Sequence, residues 1–164
     1  MSATCLVHAV LEAHRDPLVD LLQQRLRAST ALHYREEETD RLLDRCSRLV
    51  DVFLDSLYAG PTRLAQYLKN IAGERIDEGV SLPEIQLVLY LLENECWRIC
   101  DEEIESRASV VTALARVSSV IGHAKDALAQ AYLESATKSR RQLLALSPQL
   151  DAVAKGTDGA VLAE

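Results

Sequence analysis

At 164 residues the chain is long enough for one domain with a substantial core, and 48% of its residues are hydrophobic. Only 4% are aromatic, so Leu, Ala and Val must build that core, which favours packed helices over a sheet sandwich or barrel. The net charge of −7 argues against nucleic acid or an anionic membrane as the main partner, because phosphate binding requires clustered Lys and Arg.

The N-terminal segment and the cysteines indicate a cytoplasmic protein. Residues 1–14 have no basic region, and their apolar residues are interrupted by His8, Glu12 and His14. They therefore predict neither a signal peptide nor a membrane span. The four cysteines lie in apolar helical contexts, which is typical of reduced thiols rather than of a disulfide framework.

The spacing of apolar residues predicts an all-α, antiparallel bundle of about five to six helices. The first helix is interrupted at Asp16, which can cap a fresh start, with Pro17 in the first turn. A long second helix carries three glutamates, residues 36–38, in its early turns, where acids complement the helix dipole, and it ends at Gly60. Its apolar stripe is Leu42, Leu43, Cys46, Leu49, Val50, Phe53, Leu54 and Leu57.

A tight corner follows the short third helix. Gly79 can take the left-handed conformation that closes a helix, and Ser81 can cap the next one. Glu84 lies three residues after Ser81 and can reach back to its backbone N–H, which completes a capping box. The fourth helix follows, and the residues predicted on its inward face are Leu82, Ile85, Leu89, Leu92, Cys96 and Ile99.

The fifth helix has the most regular pattern in the chain and is predicted from near Ser106 to about Leu146. Its apolar residues recur at alternating steps of four and three, a heptad seam. Some forty residues of helix would reach roughly 60 Å, so we expect part of it to pair with a second copy. The candidate dimer interface is Val110, Leu114, Val117, Ile121 and Leu128. Packing of the same face within the bundle is the alternative.

We expect a helical domain over residues 1–146 and a linker or disordered tail over residues 147–164, where the apolar pattern is lost. Helices two, four and five should supply the core, with Phe53, Leu89 and Leu114 buried.

The order of these elements, with Arg75 followed by the segment GVSL at residues 79–82, resembles the RsbRD-type N-terminal helical domain. This domain occurs in stressosome co-antagonist proteins and ahead of some bacterial sensor kinases. The resemblance covers about residues 5–140. It implies a non-haem, globin-like fold, usually dimeric, that acts as a sensory or protein-interaction module and passes its state to a C-terminal output domain. No output domain, phosphoacceptor segment or kinase motif follows residue 147, which leaves a stand-alone module and a piece of a longer protein as alternatives.

The sequence supports a ligand or metal site less strongly than it supports the helices. Cys96 and Cys100 lie four residues apart on one helix, beside Trp97, and could line a pocket for a small ligand, a haem or a metal. Buried cysteines more often act as small hydrophobic residues. His123 is the one histidine in a strongly apolar helix, and a lone histidine is weak support for haem.

No inward Glu-x-x-His pair supports a di-iron centre, and no nucleophile elbow or phosphate loop is present. We therefore predict no enzymatic activity, no cofactor and no metal. Two functions remain: a homodimeric signalling module that acts on partner proteins or an output domain, and a ligand-binding sensor with a pocket between its helices.

Overall fold

The computed structural model describes the backbone of residues 3–157 and the side chains of residues 5–145. Within that range the chain forms seven helices and no strand, so the all-α prediction is confirmed. The helices are α1 (Ala3–Ala13), α2 (Arg15–Arg27), α3 (Leu32–Glu36), α4 (Thr39–Ala59), α5 (Thr62–Asp77), α6 (Leu82–Glu103) and α7 (Arg107–Thr157). No helix among these residues is long and apolar enough to cross a membrane.

The N-terminal third contains more breaks than the sequence predicts. The helix α2 starts at Arg15 with His14 at its N-cap, so Asp16 lies in the first turn and is not the cap. A separate short helix, α3, occupies the start of the predicted second helix. The expectation that residues 36–38 lie in the early turns of one long helix is wrong, because Glu37 and Glu38 have extended backbone between α3 and α4.

A side chain of the last helix, α7, hydrogen-bonds to the backbone at the junction between α4 and α5. Gly60 ends α4 with a φ of 115°, a conformation that favours glycine. The Arg116 side chain of α7 donates to the carbonyl of Leu57 from Nε at 3.0 Å and from Nη2 at 2.8 Å. The Ser56 hydroxyl accepts the N–H of Leu64 at 2.9 Å. Backbone groups that two helix ends leave without partners are thereby satisfied by side chains.

The core lies between α4, α5, α6 and α7, with α1 and α2 packed across α4 and α6. Phe53 and Leu89 are fully buried, as predicted. Leu114 is only half-buried and lies at the edge of the core. The helix α7 packs most extensively against α5, which the sequence did not assign to the centre of the bundle.

The helix α7 is longer than predicted. It runs for 51 residues to Thr157, about 76 Å, instead of ending near Leu146. Residues after Pro148 include Gln, Leu, Ala and Lys, which are good helix formers and sustain the helix beyond that proline. Among the side chains that the structure describes, the last buried one on this helix is Leu128, and most of those from Leu133 to residue 145 are exposed. Of the predicted tail, residues 158–164 lie outside the described part of the chain.

Candidate functional site

The corner between α5 and α6 has the geometry that its sequence predicts. Gly79 has a φ of 80°. The N–H of Val80 donates to the carbonyl of Arg75 at 2.9 Å and that of Gly79 to Ile76 at 3.0 Å, which together form a Schellman motif. Ser81 and Glu84 form the capping box of α6. One carboxylate oxygen of Glu84 accepts the N–H of Ser81 at 2.9 Å and its hydroxyl at 2.8 Å.

The corner is also tied to α3 and α7. His33 Nδ1 lies 2.9 Å from one carboxylate oxygen of Glu84 and 3.0 Å from the other. Burial by itself would raise the pKa of Glu84, but hydrogen bonds from Ser81 and His33 lower it by a larger amount. The resulting pKa is about 2. The Tyr132 hydroxyl donates to the Val80 carbonyl at 2.8 Å. The corner is therefore a meeting point of four helices, close to the place where α7 leaves the core.

An ion network lies beside the corner, between α4 and α5. Glu78 accepts hydrogen bonds from Arg45 Nη2 at 2.8 Å, from Arg75 Nη1 at 2.8 Å and from Arg41. Glu37 lies 2.7 Å from Arg45 Nη1 and 3.4 Å from Arg41 Nε. Burial raises the pKa of Glu78, but Arg75 and Arg45 lower it more, so its pKa lies below the ordinary value. We name these five residues the ion network.

Most of the ion network is shielded from water. The side chains of Glu37, Arg75 and Arg45 are 7%, 8% and 14% exposed. Pairing makes such burial tolerable, and removal of one partner of a buried pair typically costs about 3–5 kcal/mol. The ion network therefore fixes the position of α4 against the end of α5.

A cavity of about 40 Å³ lies under the ion network, and we call it the central cavity. Its wall combines apolar residues with two arginines and two tyrosines. The lining residues are Leu26, Tyr34, Leu42, Arg45, Cys46, Leu49, Tyr67, Leu68, Ile71, Arg75, Ile85, Val88 and Leu89. Burial raises the pKa of the Cys46 thiol to about 12, so this thiol is protonated at neutral pH.

The residues of the central cavity do not fit a haem. None of the four histidines lines it, so its wall offers no imidazole ligand for haem iron. Its volume is also far below the roughly 300 Å³ at which pockets for larger organic ligands begin. His123 is exposed, and its Nδ1 lies 2.8 Å from the carbonyl of Ser119 on its own helix. Among the described residues no three His, Cys, Asp or Glu side chains are placed to hold a metal.

The structure places the residues of the predicted pocket, Cys96, Trp97 and Cys100, in different environments. Cys96 and Cys100 are fully buried in the core, whereas Trp97 points the other way and is 40% exposed. Burial raises the pKa of both thiols, to about 11 for Cys100. None of the three lines the central cavity. Trp97 therefore lies on the solvent side of α6, apart from the two buried thiols.

The predicted dimer seam also needs correction. Val110, Val117, Ile121 and Leu128 are 0–4% exposed within a single chain, so they belong to the core of the monomer. Leu114 is half-buried at its edge. Residues with no exposed surface cannot contact a second copy unless the chain opens. The alternative of packing within the bundle is therefore correct for these positions.

A second stripe on α7 lies one residue further along and faces outward. Its steps are four, three, four and seven, with Lys125 at the position between the last two, and its other residues are Val111, Ala115, Ser118, Gly122 and Ala129. Val111 and Ala115 are exposed, and the other three are half-buried. We call these five residues the outer stripe. A Cβ placed on Gly122 would meet nothing within 4 Å among the described residues, so none of these requires a glycine there.

One ion pair connects α7 to α6 beside the outer stripe. Lys125 Nζ lies 2.9 Å from Glu93 Oε2. Tyr90 and Trp97, 54% and 40% exposed, lie on the outward side of α6 at either side of Glu93. The outward side of the α6–α7 pair thus combines a small-residue stripe with two large aromatic side chains.

Comparison with known proteins agrees with this fold. Residues 16–146 match the family described as the RsbT co-antagonist protein rsbRD N-terminal domain. The chain belongs to this family. No curated protein sequence matches it.

Among solved structures, the domain is similar to the ferrous form of the globin domain of DosC from E. coli. The TM-score is 0.66 with 15% sequence identity, over 78% of this chain and 88% of the DosC domain. The RsbRD_N resemblance and the globin-like fold expected from the sequence are both confirmed.

The sequence pointed to only part of this site. Arg75 was singled out in the motif before Gly79, but Arg45, Tyr34 and Tyr67 were not. Nothing in the sequence distinguishes Arg45 from Arg41 and Arg48, which also precede residues of the apolar stripe. Arg41 and Arg48 are 56% and 68% exposed, whereas Arg45 is 14% exposed.

Proposed function

We propose that this RsbRD N-terminal domain is a non-enzymatic, homodimeric signalling module of the stressosome type. Two copies pair through the outer stripe together with Tyr90 and Trp97. The long α7 then carries the state of the paired domains to a partner protein or an output domain. Family membership supports the signalling role, and the outward side of α6 and α7 supports the pairing.

The observation that carries the dimer is Gly122. A glycine inside a helix costs about 0.5–1 kcal/mol relative to alanine, and no neighbour in the same chain makes that cost necessary. A second helix that packs closely along the outer stripe would explain the glycine, because small residues let two helix backbones come together. Two-fold symmetry would place the same stripe of the partner against it.

The reach of α7 supports the relay. The helix extends well past its last buried residue, and exposed Leu133, Leu143 and Leu144 lie beyond the core. Exposed leucines on a helix that projects from its domain are well suited to contact with another helix. A shift of one α7 against the other at the core would be carried along its rigid length.

Sedimentation velocity over a wide range of concentration tests the proposal, with the wild type expected as a dimer. Gly122→Leu should give a folded monomer, because a branched side chain would separate the two helices. Gly73→Leu is the matched control: Gly73 also lies inside a helix with nothing within 4 Å of its Cβ position, but on α5, away from the outer stripe. That variant should remain a dimer.

Two results would contradict the pairing. One is a wild type that stays monomeric at high concentration. The other is a Gly122→Leu protein that dimerises as well as the wild type. Trp97→Glu adds an independent check on α6, with Tyr58→Glu as its control, since Tyr58 is 69% exposed on α4. Only Trp97→Glu should weaken the dimer.

A further inference from the structure

Tyr132 is the point at which α7 is last tied to the rest of the domain. Among the side chains that the structure describes, Leu128 is the last buried one on α7, and most of those from Leu133 onward are exposed. Tyr132, between them, is half-buried, and its hydroxyl donates to the carbonyl of Val80 at 2.8 Å. Beyond it, the described side-chain hydrogen bond of α7 stays within that helix, from the Thr137 hydroxyl to the Leu133 carbonyl.

The carbonyl of Val80 depends on Tyr132 for its partner. Val80 is 3% exposed, and its N–H is already used in the hydrogen bond to the Arg75 carbonyl. The first backbone hydrogen bonds of α6 go to the carbonyl of Ser81, one residue later, so the helix does not use the carbonyl of Val80. Buried backbone carbonyls normally have a hydrogen-bond partner, and the Tyr132 hydroxyl supplies it here.

This carbonyl belongs to the same peptide unit as one of the capping hydrogen bonds of α6. The peptide between Val80 and Ser81 contains the carbonyl that Tyr132 holds and the N–H that Glu84 holds at 2.9 Å. A peptide unit is planar, so its carbonyl and its N–H turn together. The hydrogen bond of the capping box and the hydrogen bond to α7 therefore fix, or release, one rigid group.

We propose that this peptide unit is a latch that couples the corner to the projecting part of α7, residues 133–145. While Glu84 and Tyr132 both hold the peptide, α7 is fixed to the domain as far as Tyr132. When the peptide turns, Tyr132 is released, and the last fully buried contact of α7 is that of Leu128, about one helical turn earlier. The latch deepens the proposed relay and rests on that proposal for its role in signalling, but it does not require pairing.

Two other parts of the domain reach the latch. His33 of α3 lies 2.9 Å from a carboxylate oxygen of Glu84. Glu78, the residue before Gly79, carries the ion network that joins the end of α5 to α4. Hydrogen-bond and ion-pair networks of this kind can carry a displacement between distant sites. A movement of α3 or of the ion network would therefore reach α7 through this one peptide unit.

Native-state hydrogen exchange of the full chain tests the latch, because it measures local opening segment by segment. Tyr132→Phe keeps the ring and removes the hydroxyl, so the amides of residues 133–145 should exchange about two- to tenfold faster. Tyr67→Phe is the matched control, since Tyr67 lies on α5 and its hydroxyl has no hydrogen bond among the described residues. That variant should leave exchange in α7 unchanged.

A double variant distinguishes a latch from two independent stabilising bonds. Glu84→Ala frees the Ser81 N–H of the same peptide unit, so it should also speed exchange of residues 133–145 by about two- to tenfold. If both bonds act through one peptide, adding Tyr132→Phe to Glu84→Ala should give exchange no faster than that of the faster single variant. Glu93→Ala is the control, because it removes an ion pair between α6 and α7 away from the corner, and it should not change these amides.

Three results would overturn the latch. They are unchanged exchange in Tyr132→Phe, effects of Glu84→Ala and Tyr132→Phe that multiply in the double variant, and faster exchange spread over the whole domain instead of residues 133–145. The same exchange experiments in a Gly122→Leu background should show the same accelerations, because the latch acts within one chain. Sedimentation of each sample reports pairing separately, so failure of the latch is distinguishable from failure of the dimer.

Discussion

The inner and outer faces of α7 are one residue apart in sequence, but the inner face is buried in the core and the outer face is much more exposed to solvent. On the inner face Val117 and Ile121 are fully buried, whereas on the outer face Val111 is 58% exposed and Gly122 has open space beside it. Both faces follow steps of four and three, although Lys125 occupies one position of the outer face. A heptad pattern therefore shows that a stripe is suited to helix packing, but it does not show whether the partner is the same chain or another copy.

The largest effect is expected from a charge on the inner face. Ile121→Glu should lower the free energy of unfolding by about 3–5 kcal/mol, because it leaves an unpaired carboxylate in the core. Urea denaturation at low protein concentration measures it. Val111→Glu on the outer face should change the stability of the monomer by no more than about 0.5 kcal/mol. A folded Ile121→Glu monomer of normal stability would show that the inner face is the interface after all.

On α6, substitutions at a buried residue and at its exposed neighbour should also differ in their cost to stability, by nearly as much. Leu89 is fully buried and Tyr90, the next residue, is 54% exposed. Leu89→Ala should cost about 2–5 kcal/mol through lost burial and the cavity left behind, while Tyr90→Ala should cost less than about 1 kcal/mol in the monomer. Thermal denaturation of the two variants compares them, and similar costs would mean that α6 is not oriented as described.

The corner that Tyr132 of α7 contacts should show a smaller effect. Gly79→Ala should cost about 1–2 kcal/mol, because alanine is strained at a φ of 80°, while its Cβ would lie 3.5 Å from His33 Nε2 in ordinary contact. Gly73→Ala, inside α5, should instead stabilise by about 0.5–1 kcal/mol. Equal behaviour of the two variants in urea denaturation would remove the special role of Gly79.

Low pH should reduce the stability that the same corner contributes, without an effect on the outer face. The pKa of Glu84 is lowered from 4.5 to about 2, so its contribution to stability is complete above about pH 4.5 and is lost as the pH falls towards 2. The stability of the wild type should therefore decrease over this range more than that of Glu84→Gln, which has no titrating group there. Parallel pH profiles in the two proteins would show that Glu84 does not stabilise the corner through its charge.

The corner was predictable because its signals are local. Gly79, Ser81 and Glu84 lie within six residues, and each acts on backbone groups of its immediate neighbours. The short helix α3 was missed for the opposite reason. Its start and end depend on contacts such as that of His33 with Glu84, 51 residues away, which no pattern within the segment reveals.

The sequence by itself determined that the chain is helical, where most helices begin and end, and which family it resembles. Periodicity, caps and breakers act over a few residues, so they can be read in order along the chain. Only the tertiary structure decided which stripe of α7 is buried and which residues share the central cavity. The cavity wall draws on α2, α3, α4, α5 and α6, and the outer stripe differs from the inner one by about 100° around a single helix. Those assignments depend on how the helices pack against one another, which the spacing within one helix does not specify.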